Sequence, residues 1–159
     1  MLTDVLRGAL AGAVATWLMD QVTTTMLESQ PDEVTKREEE ARPNGKGTVP
    51  NLVDMVEDAT GFQVEEESRP QLEMAVHYAL GIVPGALYAV LRRRVPLLGA
   101  KQGLAYGFLL WALNDEFLNF QLGLAGPPQA YPAETHWRGL VGHLVLGGAT
   151  DTTIDLLGG

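Results

Sequence analysis

Apolar residues dominate four long segments of the chain, and more polar stretches separate them. None of the four shows the strict alternation of a β-strand, and each is long enough for about six helical turns or more. The pattern therefore predicts an all-α protein whose single domain spans residues 1–159. The predicted long helices cover residues 3–27, 69–94, 99–121 and 134–157.

Helix-start and helix-stop residues mark the second long helix. Ser68 followed three residues later by Gln71 predicts a capping box, and Pro70 lies in the first turn, where proline is tolerated. Pro84 inside the segment predicts a kink, and the helix is expected to stop before Pro96. These signals place the start of this helix more firmly than its end.

An acidic stretch, residues 28–68, connects the first two long helices. Residues 28–69 hold twelve of the twenty acidic side chains of the protein. Prolines and glycines interrupt this stretch, so part of it is expected to be flexible. Within it, PNLVDMVEDATG predicts a short amphipathic helix that starts at Pro50 and ends at Gly61. Its predicted apolar face consists of Leu52, Val53, Val56 and Ala59.

Net charge and cysteine content exclude several classes of function. The formal net charge is −9, and no basic face is available for nucleic acid, which is therefore not an expected partner. The chain has no cysteine, so it has no disulfide, thiolate metal site or thiol nucleophile.

Glycines recur at four-residue spacing in three of the long helices. This spacing lets helix backbones approach closely in lipid, whereas each glycine in a water-soluble helix costs about 1 kcal/mol relative to alanine. The pattern predicts the lipid bilayer as a partner, and it offers faces for a partner helix or a second copy of the chain. The glycines concerned are Gly8, Gly12, Gly81, Gly85, Gly103 and Gly107.

Basic residues fall where a membrane topology requires them. If the N-terminus is cytoplasmic, Arg7, Arg92, Arg93, Arg94 and Lys101 all lie in short cytoplasmic flanks, as the positive-inside rule expects. The prediction is a four-helix transmembrane bundle of a bacterial inner membrane, with both termini cytoplasmic and the acidic stretch outside. A soluble four-helix bundle stays as an alternative, because apolar runs of 10–14 residues are common in soluble cores.

Four polar side chains are expected at one depth of this bundle. Asp20, His77, Asp115 and His143 each follow a stripe of small residues, at roughly 18–24 Å from the cytoplasmic ends of their helices. Two carboxylates and two imidazoles suit a divalent metal ion, the predicted cofactor, and they equally suit a proton relay. Glu116, Glu134 and His136 are secondary candidates that extend the site.

The same residues are also compatible with other functions. The polar side chains are also expected in a structural or assembly subunit, where they form hydrogen bonds between helices worth only about 0.6 kcal/mol each. An intramembrane metal hydrolase with Glu116 as general base has less support, since no strict motif such as H-E-x-x-H is present. The sequence thus favours ion or proton transport over catalysis, and no catalytic residue is predicted.

Several motifs resemble a known family. HYALGIVPGALYAV, GLAYGFLLWALNDEF, LGLAGPP and GHLVLGG are similar to the YagU-like family of uncharacterised bacterial inner-membrane proteins. The resemblance covers roughly residues 70–150 and includes His77, the Asp115–Glu116 region and His143. It implies a small polytopic inner-membrane protein, and it carries no biochemical activity over to this chain.

Overall fold

The computed structural model describes all 159 residues, and it is all-α, as predicted. A π-helical segment, Trp111–Leu118, joins α5 to α6, so that one continuous helix runs from residue 104 to 121. The α-helices are α1 (Leu2–Glu28), α2 (Asp32–Ala41), α3 (Thr48–Thr60), α4 (Arg69–Leu91), α5 (Leu104–Leu110), α6 (Asn119–Gln121) and α7 (Ala133–Leu156). Short 3₁₀ turns cover Pro43–Gly45 and Pro128–Ala130.

The four predicted long helices are present, and the third differs most in its start. It begins at Leu104 rather than near residue 99, because Lys101, Gln102 and Gly103 have φ angles of 55°, 57° and 80°. Three consecutive residues in the left-handed region cannot continue a right-handed helix. The second long helix ends at Leu91 instead of residue 94 and runs without interruption through Pro84.

The predicted capping box at the start of α4 is only half correct. Ser68 is the N-cap residue, but its side chain makes no hydrogen bond to the first turn. The start of α4 is held instead by Arg69, whose guanidinium contacts Asp54 and Glu57 of α3 and Glu73 of α4. Tertiary ion pairs thus replace the local capping bonds expected from the sequence.

Glycines let the long helices touch through their backbones. The long helices pack in the order α4, α1, α7, α5, and α1 meets α4 through glycine. A Cβ atom added at Gly12 would lie 2.5 Å from the Gly81 carbonyl oxygen, and one at Gly85 would lie 2.7 Å from the Gly8 oxygen. No side chain other than hydrogen fits at these positions.

A second glycine contact joins α5 to α7. A Cβ atom added at Gly147 would lie 2.7 Å from the Gly107 nitrogen, and one at Gly107 would overlap the His143 carbonyl. Gly103, just before α5, faces Gly147 in the same way. All six predicted glycines therefore approach helices of the same chain, and an additional partner on these faces stays a prediction.

Small residues are buried in the long helices, and large apolar ones are exposed. The buried residues of α1 are Gly8, Ala11, Gly12, Ala15 and Thr16. The exposed face of α1 carries large side chains at helical spacing, with exposed fractions of 73 % at Leu2, 62 % at Leu6, 54 % at Leu10 and 53 % at Trp17. On α4 the exposed side chains include Met74, Leu80, Val83 and Leu87. This distribution is the reverse of a water-soluble core.

Two helices, α1 and α4, are long and apolar enough to cross a membrane. Of their most apolar 18-residue windows, only 28 % and 22 % of the residues are buried. The core helix of a soluble protein also passes a test of length and composition, but its residues are mostly buried.

The acidic stretch is largely helical, and the flexibility expected for part of it stays a prediction. The predicted amphipathic helix is α3, and it ends at Gly61 with a φ of 73°. Leu52, Val53 and Val56 of its predicted apolar face line one groove, in which Val53 is buried and Val56 is 50 % exposed, while Ala59 is exposed. A polar contact also holds α3, because the buried Asn51 amide donates to the Leu124 carbonyl at 3.1 Å.

Candidate functional site

The π-helical segment contains the polar residues of the third long helix. Trp111–Leu118 includes Asn114, Asp115 and Glu116, and π-helical turns are frequent at functional sites. From a regular α-helix, Glu116 was expected to point about 100° away from Asp115. The wider π turn reduces this angle, and both carboxylates face α7. The sequence alone shows no sign of this change in helix type.

Asp115 is paired with His143 of α7. The His143 Nδ1 atom lies 3.4 Å from Asp115 Oδ2 and 3.0 Å from the Gly139 carbonyl oxygen. A carbonyl oxygen only accepts, so Nδ1 carries a proton, and in the neutral imidazole Nε2 has a free lone pair. Sequence reasoning had placed these two side chains at one depth, and the structure brings them together.

Glu116 is paired with His136 of α7. The His136 Nδ1 atom lies 2.6 Å from Glu116 Oε1, and its Nε2 atom lies 3.0 Å from the Pro128 carbonyl oxygen. Both partners are acceptors, whereas a neutral imidazole has a single N–H. The geometry leaves neither ring nitrogen of His136 without a partner.

Asp20 of α1 is paired with His77 of α4. Their side chains are about one third exposed, and His77 Nε2 lies 2.9 Å from Asp20 Oδ1. Each of the three histidines of the chain thus contacts a carboxylate on a different helix. The last secondary candidate, Glu134, is exposed and forms no ion pair.

The predicted four-residue cluster is divided into two pairs around a cavity. His77, Asp115 and His143 line one cavity of about 290 Å³, together with Asn114 and apolar side chains. Asp20 does not line this cavity and is connected to it only through His77. No group of three or more His, Asp or Glu side chains is close enough to hold a metal ion. The divalent metal stays a prediction.

Shared walls connect the three pairs. Asp115 lines both the 290 Å³ cavity and a second one of about 230 Å³, which also contains Glu116 and His136. His77 lines the first cavity and an open depression beside Asp20. Both cavities exceed by far the volume of a single water molecule. Neighbouring cavities that share lining residues therefore extend from Asp20 to His136.

An ion pair between α2 and α7 was missed by sequence reasoning. The Arg138 guanidinium donates to both carboxylate oxygens of Glu38 at 2.7 Å, and Glu38 is only 4 % exposed. Arg42 and Thr135 also donate to this carboxylate, at 2.8 and 2.9 Å. Arg42 at i+4 is the one local signal that separates Glu38 from Glu39 and Glu40, and Arg138 in an apolar helix indicates that a partner is needed.

Burial and ion pairing act in opposite directions on Glu38. Burial by itself disfavours the carboxylate and would raise its pKa. The hydrogen bonds from Arg138 and Arg42 outweigh burial, and they lower the pKa of Glu38 below its ordinary value of 4.5. Glu38 therefore remains ionised in its buried position.

A second polar group lies at the opposite end of the long helices. Asp151 Oδ1 accepts from the Tyr88 hydroxyl and from Arg92, both at 2.5 Å, and Arg92 also contacts Asp155 at 2.7 Å. Tyr106 stacks on Tyr88 with ring centroids 4.4 Å apart, and its buried hydroxyl has no hydrogen-bond partner. Arg92, expected as a topology signal, is thus also half of an ion pair between α4 and α7.

Comparison of the chain with protein-family models, with curated proteins and with solved structures gave no match. The resemblance to the YagU-like family therefore stays a prediction.

Proposed function

We propose that this chain is an integral membrane protein with four spanning helices, and that its histidine–carboxylate pairs relay protons. The single observation that carries the relay is the chain of shared walls: Asp115 lines two adjoining cavities, and each of these cavities contains one or more further members of the pairs. The membrane is the premise of this proposal.

The arrangement of large and small residues supports the membrane. Leu6, Leu10 and Trp17 point outward from α1, while Gly8 and Gly12 form its interior contacts. In water such a surface would be a large apolar patch, whereas in lipid it is the expected exterior. The soluble alternative leaves these exposed side chains without an explanation.

Ion pairs support the proposal that α7, the most polar of the long helices, spans the membrane. Arg138 is neutralised by Glu38, and Asp151 is neutralised by Arg92. Charged residues inside membranes pair with one another in this way. Arg138 and Asp151 also lie towards opposite ends of α7, so the middle of the helix carries no acidic or basic side chain other than His143.

Contacts between the connecting segments support the predicted topology. Asn51 of the acidic stretch contacts Leu124, and both belong to segments predicted to lie outside the cytoplasm. Arg92 contacts Asp155, and both belong to segments predicted at the cytoplasmic side. Segments assigned to one side of the membrane therefore contact each other within one chain.

The free nitrogen of His143 supplies the chemistry of the relay. A hydronium ion that enters the cavity gives its proton to the lone pair on Nε2, and Asp115, 3.4 Å from Nδ1, stabilises the resulting imidazolium. The Nδ1 proton then passes to the Asp115 carboxylate, which also borders the second cavity, while the new proton stays on Nε2. On the cytoplasmic side, Tyr88 and Asp151 form the next polar group along the long helices.

Proton flux into proteoliposomes tests this function. With a trapped pH-sensitive dye and an imposed membrane potential, we expect wild-type protein to acidify the lumen faster than empty liposomes do. Asp115→Asn and His143→Gln should reduce the rate to the background, because each removes a proton acceptor of the relay. Glu134→Gln is the matched control, since this carboxylate is exposed and unpaired, and its rate should equal that of wild type.

Two outcomes would overturn the relay. Wild-type flux equal to that of empty liposomes contradicts it, and so does undiminished flux in Asp115→Asn. The membrane premise has its own test, because a protein that stays monodisperse without detergent after extraction would not be an integral membrane protein.

A divalent-cation site is the second candidate, since His77, Asp115 and His143 line one cavity. Imidazole and carboxylate together suit zinc and similar ions. Metal analysis of purified protein distinguishes the candidates. Near-stoichiometric zinc in wild type that is lost in His143→Ala would favour the cation site, and zinc absent from both proteins would remove it.

A further inference from the structure

Helix α2 is attached to the rest of the protein in an unusual way. Its sequence, DEVTKREEEA, is strongly charged, and its one buried residue is the carboxylate Glu38. Val34 and Thr35 are half-buried, and most of the other side chains are exposed. No buried apolar residue anchors this helix, and its contacts with the rest of the protein include the Glu38 ion pair and a close backbone approach of Ala41 to Gly126.

The ion pair that attaches α2 has good geometry. Arg138 places two nitrogen–oxygen contacts of 2.7 Å on Glu38, and its second terminal nitrogen donates to Gln30 at the same distance. The Arg138 side chain is 13 % exposed and that of Glu38 is 5 % exposed. Both contacts to Glu38 come from the Nη2 atom of Arg138, while Nη1 is fixed by Gln30, so the guanidinium holds α2 in one position on α7.

This position places Glu38 of α2 in the wall of the 230 Å³ cavity and narrows the opening of that cavity to solvent. Arg42, Lys46, Gly47 and Thr48 complete the wall from the acidic stretch, while Asp115, Glu116 and His136 belong to the wall from the long helices. One wall of this cavity therefore belongs to the acidic stretch, and the other belongs to the long helices. Movement of α2 away from α7 would open it on the side of the acidic stretch.

We propose that α2 is a lid over the Asp115–Glu116 cavity and that the Glu38–Arg138 pair is its latch. The role of the lid in controlling access to the relay rests on the proposed function. The access of a solute to the cavity does not depend on proton movement and can be measured separately. With the latch closed, α2 narrows the opening of the cavity, and release of Glu38 widens it.

Thiol labelling measures this access, because the natural chain has no cysteine. Asn119→Cys places one thiol in the cavity wall, on the long helix that stays in place. In the full-length protein in nanodiscs, a membrane-impermeant maleimide should label this thiol slowly. Adding Glu38→Gln or Arg138→Gln should raise the labelling rate tenfold or more, because both variants remove the charge pairing of the latch.

Glu39→Gln is the matched control. Glu39 is the neighbour of Glu38 on the same helix, it is exposed, and it forms no ion pair, so its neutralisation should leave the labelling rate unchanged. A second reference thiol, Asp58→Cys, lies on the exposed surface of α3 and should react equally in every background. Equal rates for Asn119→Cys with and without Glu38→Gln would overturn the lid.

Hydrogen exchange separates lid opening from loss of the fold. In Glu38→Gln we expect the α2 amides to exchange at least tenfold faster, while those of α1, α4 and α7 keep their protection. Faster exchange in all helices would show a damaged protein rather than an opened lid, and would contradict the latch. A wild type without proton flux but with latch-dependent labelling would remove the relay and leave the lid intact.

Discussion

The long helices and the acidic stretch are held in place by different forces. Between α1 and α4, glycines bring two backbones into contact, and the shape of the surfaces decides the fit. Between α2 and α7, charged side chains meet across a nearly buried ion pair. The first contact depends on residue volume and the second on charge. The two regions should therefore fail under different perturbations.

The largest expected effect is a change of volume in a glycine contact. In Gly147→Ala the new methyl group would lie 2.7 Å from the Gly107 nitrogen and 2.9 Å from its Cα, so α5 and α7 must separate. We expect destabilisation by about 3 kcal/mol or more, measured as unfolding of the purified protein in increasing SDS.

The neighbouring glycine is a matched control for this change. At Gly148 an added Cβ atom has its nearest neighbour 3.8 Å away, which is an ordinary contact. Gly148→Ala should therefore be neutral or stabilise the helix by up to about 1 kcal/mol. Equal destabilisation by both substitutions would mean that helix propensity or lipid contact, rather than close backbone approach, decides stability.

An intermediate effect is expected from acid, and it should be confined to α2. Because the pKa of Glu38 is lowered in the folded protein, docking of α2 is fully stabilised above the ordinary value of 4.5. The stabilisation is lost as the pH falls through the lowered pKa, where the carboxylate accepts a proton. Helix-resolved hydrogen exchange between pH 6 and pH 3 measures this loss.

The comparison predicts how the two regions differ in that experiment. After correction for the intrinsic pH dependence of exchange, protection of α2 should fall on acidification before protection of α1 and α4 does. In Glu38→Gln the fall should be absent, because the group that titrates has been removed. Simultaneous loss of protection in α1, α2 and α4 would show that the two regions are not independent.

The smallest expected effect is at the start of α4. A serine N-cap usually contributes about 1 kcal/mol, but the Ser68 side chain makes no capping hydrogen bond. Ser68→Ala should change the stability by less than about 0.5 kcal/mol in the same SDS titration. A decrease of about 1 kcal/mol in the free energy of unfolding would instead support the capping box predicted from the sequence.

Predictions based on local pattern were the most accurate for this chain. The four long helices and α3 were predicted because apolar runs, prolines and glycines act within a few residues of their own position. Errors began where distant residues decide the outcome. Ser68 is the N-cap of α4 as predicted, but the ion pairs of Arg69 with Asp54 and Glu57 replace its expected side-chain hydrogen bond.

The sequence predicted the level of the candidate residues along their helices, but it did not predict which histidine pairs with which carboxylate. Helical rise placed His143 and Asp115 at one level, and they are in contact at 3.4 Å. The same reasoning gave Glu116 a different face, because it assumed a regular α-helix. A π-helical segment in this region brings Glu116 against His136 at 2.6 Å. The π-helical geometry of this segment is seen only in the tertiary structure.

By itself the sequence determined the helical class, the lengths of the helices, and the small residues on their contact faces, since each depends on spacing along one chain. Only the tertiary structure decided which carboxylate each histidine meets and that α2 closes over α7. Glu38 shows the physical reason. It lies beside two further glutamates, Glu39 and Glu40, and although Arg42 is a local partner at i+4, its contact across the fold is with Arg138, 100 residues away along the chain. Burial and pairing are properties of the assembled surface, and no local pattern encodes them.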